Sequence, residues 1–239
     1  MPIRPKFKLN LTPLDFSAPM EKNAPSAREQ LRADFDKLRG QMRELPFPRF
    51  QQALHAPDYA GMRQSGFCAV SNGFRMENHG GDVFMHARRE NPQSLGEFAG
   101  DKFHISIQSE QVPQAFQALS SLLFSDDSPI DKWKITDMER VDHQSRVGVG
   151  AQITLYVKPD QTDSLYSALA LNKTRQFIEN LEANLSEHGI APGQHPESDV
   201  RPDGWRYTSY RNELRSERDG SETQSQALRE EPFYRLMTE

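Results

Sequence analysis

From Lys102 to Ile107 the chain alternates without a break: Phe103, Ile105 and Ile107 point one way, and Lys102, His104 and Ser106 the other. A period of two marks a β-strand with one face buried. The apolar edge is expected to pack on a core while an ammonium and an imidazole stand side by side on an open face. An imidazole beside an ammonium loses proton affinity unless an anion lies between them. The pair therefore suits an anionic substrate.

The same alternation runs from Arg146 to Lys158 and predicts the clearest strand of the chain. Val147, Val149, Ala151, Ile153, Leu155 and Val157 would face inward, presenting Arg146, Gln152, Tyr156 and Lys158 outward, with Gly148 and Gly150 keeping that face open near Arg146. Shorter strands are expected at 82–87 and 131–135. In the second, Trp133 and Ile135 oppose Lys132 and Lys134. Arg88 to Pro92 reads as a polar loop.

Helical patterns separate these strands. Ser26 and Glu29 form a capping box ahead of Leu31, Phe35, Leu38, Met42 and Leu45, and Pro46 and Pro48 end that helix. A second helix spans 112–124, with Pro113 in its first turn. A third covers 164–187, with Leu165, Leu169, Phe177, Leu181 and Leu185 inside and Gly189 as its stop. A last helix, at 226–237, closes with an aromatic clasp from Phe233 and Tyr234. Strands and helices do not alternate regularly, so the expected class is α+β: a twisted, largely antiparallel sheet flanked by helices in one domain, 26–239. Residues 1–25, with five prolines and no periodicity, read as an arm.

Composition narrows the function. The mean hydropathy of -0.77 and the absence of a long apolar run leave nothing to cross a membrane, and Met1 to Phe16 lacks the pattern of a secretory signal peptide. A net charge of -5 argues against nucleic acid as a partner. Cys68 is the only cysteine, so no intrachain disulfide or multi-cysteine zinc site can form. Between Phe67 and Ala69 it reads as a buried structural thiol, and Arg75 lies one residue too far for the Cys-x5-Arg loop of cysteine phosphatases. No metal-binding spacing, Walker loop or nucleophile elbow occurs, and Gly148-x-Gly150 lacks the third glycine of a dinucleotide loop. No metal and no cofactor is expected.

What remains is an inventory for recognising phosphate, with arginine best shaped to fork onto its oxygens. Three readings use it. His104-x-Ser106 and His143-x-Ser145 together would make a two-histidine phosphoesterase, although the second copy sits in a polar turn. A neutral lysine removing a Cα proton, with an acid protonating the departing phosphate oxygen, would make a lyase; crowding by Lys102, Lys132 and Arg146 would lower the base's pKa. A non-catalytic phosphopeptide-binding module would need the arginines alone. His55, His79, His86, His188 and His195 show no partner pattern and read as structural, and Lys132 and Arg215 as solvated or paired with Asp131, Glu213 or Glu217.

Gly100-Asp101-Lys102-Phe103-His104-Ile105-Ser106, Asp131-Lys132-Trp133-Lys134, Gly150-Ala151-Gln152-Ile153-Thr154-Leu155-Tyr156-Val157-Lys158 and Tyr210-Arg211-Asn212-Glu213-Leu214-Arg215-Ser216 resemble the phosphothreonine lyases, the OspF/SpvC group of type III secreted bacterial effectors. The resemblance runs through essentially the whole chain to Phe233-Tyr234-Arg235-Leu236. It implies β-elimination at the phosphothreonine of pThr-x-pTyr activation loops of host mitogen-activated protein kinases, leaving dehydrobutyrine and free phosphate. By it, Lys134 is the general base and His104 the general acid. Lys102, Arg146 and Arg211 hold the phosphothreonine phosphate with Tyr156 close by, while Arg218 and Lys158 face the phosphotyrosine. It also makes residues 1–25 a secretion signal with a kinase-docking motif formed by Lys6, Lys8, Leu9 and Leu11. The partners implied are the doubly phosphorylated kinases and the secretion machinery, the site of action the host cytoplasm or nucleus, and the active species a monomer.

Overall fold

The capping box forms as the sequence requires: the Ser26 side chain accepts from the Glu29 amide while the Glu29 carboxylate accepts from the Ser26 amide. It opens the computed structural model, which describes residues 26–216 and 220–239. Lys6, Lys8, Leu9, Leu11 and Arg218 lie outside the described residues. The helix begun at Ser26 is two helices, α1 (Ala27–Ala33) and α2 (Phe35–Glu44), because Asp34 leaves helical geometry between them. Leu31, Leu38 and Met42 are buried on both sides of the break, so the apolar period reads straight through it.

The chain continues through α3 (Tyr59–Arg63), β1 (Ala69–Ser71), β2 (Phe74–Glu77), β3 (Phe84–Arg89), β4 (Asp101–Ile105), α4 (Val112–Leu123), β5 (Lys132–Thr136), α5 (Arg146–Val149), β6 (Ile153–Tyr156), α6 (Ala168–Glu187), β7 (Thr208–Asn212), α7 (Glu222–Arg229) and α8 (Pro232–Thr238). The seven strands form one sheet in the order β1-β2-β3-β5-β6-β4-β7, every pair antiparallel. This is the α+β architecture the pattern predicts. One face carries Phe103, Ile105, Trp133, Ile135, Ile153 and Leu155, all fully buried. Helices cover it, with Phe116 of α4 against Trp133 and Phe233 of α8 against Phe103. The other face carries the polar side chains.

Several local expectations give way to tertiary packing. Strand β4 is buried on both faces: Lys102 is 4% and His104 2% exposed. The alternation aims these side chains correctly, but β6 and β7 flank the strand, and Asp199 and Glu213 approach from above. Of the long strand expected at 146–158, only Ile153–Tyr156 forms. Arg146–Val149 is one helical turn, and its glycines do not hold a face open. A Cβ on Gly148 would lie 2.4 Å from the Asp142 carbonyl oxygen, and one on Gly150 1.7 Å from that of Gln194. Both residues are glycine because other backbone passes there.

Arg88 and Arg89 extend β3 where a loop is expected. Arg89 is buried, donating to Asp131 at 2.8 Å and to the carbonyls of Ser125 and Ser128. Cys68 is exposed, not buried, because it enters edge strand β1 beside the equally exposed Phe67. Helix α6 begins after its cap Ser167, which leaves Leu165 outside it, and Leu169 is 63% exposed. Its inner face is set instead by Leu171, Phe177, Ile178, Leu181 and Leu185. The last helix is also divided, since Pro232 starts α8 anew. The Phe233–Tyr234 clasp forms as expected, with both rings against Tyr210.

Candidate active site

Strand register decides which side chains meet. On the polar face, Cα partners align Arg75, Arg88, Lys132, Tyr156, Lys102 and Arg211 in one row across six strands. The adjacent row is Glu77, His86, Lys134, Thr154, His104 and Ser209. Lys134 and His104 thus stand on either side of Thr154, two strand spacings or about 10 Å apart at their Cα atoms. A small side chain between two reactive ones leaves room for a substrate residue. Of the expected site residues, the fold brings Lys102, His104, Lys134, Tyr156 and Arg211 onto one face of four adjoining strands.

His104 has a partner that the sequence did not reveal. Its Nδ1 lies 2.6 Å from Asp199 Oδ2. A carboxylate can only accept, so Nδ1 carries the proton and Nε2 is left for other work. Asp199 is fixed in turn by the hydroxyls of Ser209, at 2.8 Å, and Ser198, at 3.2 Å. Burial pulls the His104 pKa below the ordinary imidazole value; Asp199 opposes that, while the charges of Lys102 and Arg146 reinforce it. The bonds from His104 and the two serines hold Asp199 below the usual carboxylate range despite its burial.

Lys134 rests on an aromatic ring, its Nζ 3.5 Å from the centroid of Phe84. Burial lowers its pKa to about 8; Asp82 pushes back up, and Lys102 and Arg146 pull further down. Asp82 itself pairs with His86 at 3.0 Å, and His86 is the direct cross-strand neighbour of Lys134. The sequence reading treats His86 as structural; only the pairing of β3 with β5 brings it to Lys134. A lysine with a pKa near 8 holds a useful neutral fraction at physiological pH, as a general base needs.

The cations gather around this pair. Lys102 Nζ donates to Glu213 at 3.1 Å, a pairing the sequence reading does not anticipate. Arg211 is buried beside Lys102, its guanidinium held by Ser198 Oγ at 3.2 Å and the Ser216 carbonyl at 2.7 Å. Arg146 reaches the site from α5 rather than from a strand, and its charge is felt by both His104 and Lys134. Tyr156 packs on Phe98 and carries Lys132 Nζ 4.7 Å above its ring. Beyond it opens a cavity of about 620 Å³ whose lining includes Phe98, Tyr156 and Lys158. That space suits a flat ring ending in an anion.

His143 is exposed in the turn before α5, so the second His-x-Ser does not stand on a facing strand. Among the described residues no group of three or more His, Cys, Asp or Glu side chains could hold a metal ion, and no helix is long and apolar enough to cross a membrane.

Comparisons with known proteins agree on one relationship. The family model described as OspF/SpvC matches residues 2–239. The chain is 64% identical over 241 residues to the MAPK phosphothreonine lyase of Salmonella choleraesuis and 61% identical over 240 residues to the phosphothreonine lyase OspF of Shigella flexneri, with both chains covered in full in each case. Among solved structures, the VirA (SpvC) phosphothreonine lyase effector of Chromobacterium violaceum superposes with a TM-score of 0.87 at 72% identity, covering 89% of this chain and 99% of that one.

Proposed function

The chain belongs to the OspF/SpvC family of phosphothreonine lyases, and from that premise we propose how its own side chains eliminate phosphate from the activation-loop phosphothreonine of mitogen-activated protein kinases. The observation that supports the assignment best is the placement of Lys134 and His104 on either side of Thr154, with Lys102 and Arg211 in the neighbouring row. Neutral Lys134 removes the Cα proton as the Cα–Cβ double bond forms. The Cβ–O bond breaks, and His104 delivers a proton from Nε2 to the bridging oxygen. Asp199 holds the imidazole by Nδ1 and favours its protonated form.

Lys102, Arg146 and Arg211 take the phosphate, neutralise it as it leaves, and supply the positive field in which charge develops at Cα. Tyr156 borders the reacting residue, while Lys158 and Arg218 receive the phosphotyrosine. The arm supplies affinity for the whole kinase: Lys6 and Lys8 meet an acidic patch, and Leu9 and Leu11 enter apolar pockets. Delivered as a type III effector, the protein acts where the phosphorylated kinases are, in the host cytoplasm, the nucleus or both.

The testing experiment is the mass of a doubly phosphorylated activation-loop peptide after incubation, run beside an intact phosphorylated kinase. Elimination leaves a residue lighter than threonine by one water; plain threonine, or label from heavy water in the released phosphate, would overturn the reading. Alanine at Lys6, Lys8, Leu9 and Leu11 is expected to slow attack on the kinase and spare the peptide. Equal loss on both would remove the docking role.

The acid and base have reversed affinities in the free enzyme: Lys134 must lose a proton that it holds up to about pH 8, while His104 must keep one that burial disfavours. The bound phosphate dianion corrects the second by stabilising the imidazolium. The pH profile of kcat/KM is expected to be bell-shaped. The second ionisation of the substrate phosphate, near pH 6, overlaps its acidic limb, so the limb near pH 8 is the diagnostic one. Asp82 raises the Lys134 pKa, so Asp82→Asn should move that limb to lower pH. A limb that stays fixed would show that it belongs to another group.

A further inference from the structure

The row of cations does not stop at the reaction centre. Past Lys132 it continues through Arg88 on β3 to Arg75 on β2, two strands farther than the chemistry requires. These residues line a second cavity of about 610 Å³, which shares Arg88 and Lys132 with the cavity beside Tyr156. The two lobes differ in kind. The first offers Phe98, Tyr156 and Leu214 to a ring; the second has no phenyl or phenol ring in its lining, which sets Arg75, Arg88, Arg89 and Lys132 against the carboxylates of Glu77, Asp82 and Glu90.

The charges within the second lobe are unevenly matched. Arg75 meets Glu90 at 3.5 Å, and Asp82 is engaged by His86 at 3.0 Å. Among the described residues no carboxylate lies within ion-pair distance of the exposed Arg88. Arg88 instead faces Lys132 across the β3–β5 pairing, and its charge adds to burial in lowering the Lys132 pKa. Glu213 acts on Lys132 in the opposite sense, but among the described residues it forms no ion pair with either cation, and two cations so placed form a site for a further anion.

We propose that this lobe is a subsite for an acidic side chain of the substrate polypeptide, carboxylate or phosphate, gripped by Arg88 with Lys132 and Arg75, and that it sets sequence preference around the phosphothreonine. The inference rests on the assignment of Lys134 as the base, since that fixes where the phosphothreonine lies. Strand β3 is two spacings from Thr154, over which the phosphothreonine lies, and β2 three, about 10 and 15 Å. An extended peptide advances about 3.3–3.6 Å per residue, so the side chain that reaches Arg88 belongs about three residues from the phosphothreonine.

The test uses the full chain and phosphothreonine peptides in which each position within three residues of the phosphothreonine, other than the phosphotyrosine, carries glutamate, phosphoserine or glutamine in turn. At one position kcat/KM for glutamate is expected to exceed that for glutamine by about 5-fold, the scale of an exposed ion pair, with phosphoserine at least as good. The preference should shrink as salt is raised. Arg88→Gln and, more weakly, Arg75→Gln should abolish it by slowing only the acidic peptides; Arg215→Gln, outside the lobe, should keep it. The proposal is overturned if no position prefers an acid, if the preference survives both variants, or if the variants slow acidic and neutral peptides alike. Failure of the lyase assignment would show separately, in the product mass of the reference peptide.

Discussion

Replacing Lys134 by alanine is expected to lower kcat on a doubly phosphorylated peptide by at least ~100-fold, the usual scale of general acid–base catalysis, while KM changes little. Lys134 lies in the row beside that of Lys102 and Arg211, the proposed phosphate-binding cations, not within it, so ground-state binding should survive. Lys134→Arg should be as damaging as alanine: the charge and much of the length remain, but a guanidinium does not deprotonate in a protein. If arginine restored activity, the residue would be acting as a cation and the base would have to be sought elsewhere. Stability should not fall with activity. Burial already lowers the Lys134 pKa, so its charged form is disfavoured in the fold, and a neutral replacement should leave the thermal midpoint unchanged or raised.

His104→Asn should cost at least ~100-fold in kcat for the complementary reason. The asparagine amide can take over the Nδ1 bond to Asp199 but has no proton to deliver to the leaving oxygen. His104→Ala is the less informative variant, because it strands a buried carboxylate, and breaking a buried charge pair costs about 3–5 kcal/mol. Asp199→Asn is expected to lower kcat by about 10–100-fold, the range seen when the outer partner of a functional histidine is lost. Asp199 raises the His104 pKa, so its removal should also shift the limb that His104 sets in the kcat profile to lower pH as the imidazolium becomes harder to keep. A loss of rate with no shift in that limb would reduce Asp199 to a structural prop.

The parts of the site that could be read from the chain are those set by local alternation. Lys102 and His104 share a face because the strand period is two, and so do Lys132 and Lys134; both pairs lie where the spacing puts them. Asp199 could not be read in this way. It sits 95 residues from His104 in a loop without periodicity, and nothing local marks one of its polar residues as a partner. His86 was hidden for a related reason, since its closeness to Lys134 depends on β3 pairing with β5. The alternation points to the wrong kind of element for Arg146 because Gly148 and Gly150 fall in step with a strand pattern, whereas their missing side chains serve close passage of the loops at 142–143 and 194. Burial of Lys102 and His104 was the hardest property to anticipate. Alternation gives direction, and only the assembled sheet decides whether that direction leads to water.

The sheet order also fixes when during folding the enzyme can come into being. Strand β4 pairs on one side with β6, at Ile153–Tyr156, and on the other with β7, at Thr208–Asn212. Its neighbours are thus drawn from far along the chain, and such distant pairings form late because the intervening loop must first be closed. When only the segment through β5 has emerged from the ribosome, His104 and Lys134 have both been made, yet no strand holds them side by side. Partial products of synthesis or of proteolysis that stop short of Asn212 lack the edge that encloses His104 and the arginine beside Lys102. The elimination chemistry is therefore a property of the finished chain, switched on by closure of the last strand.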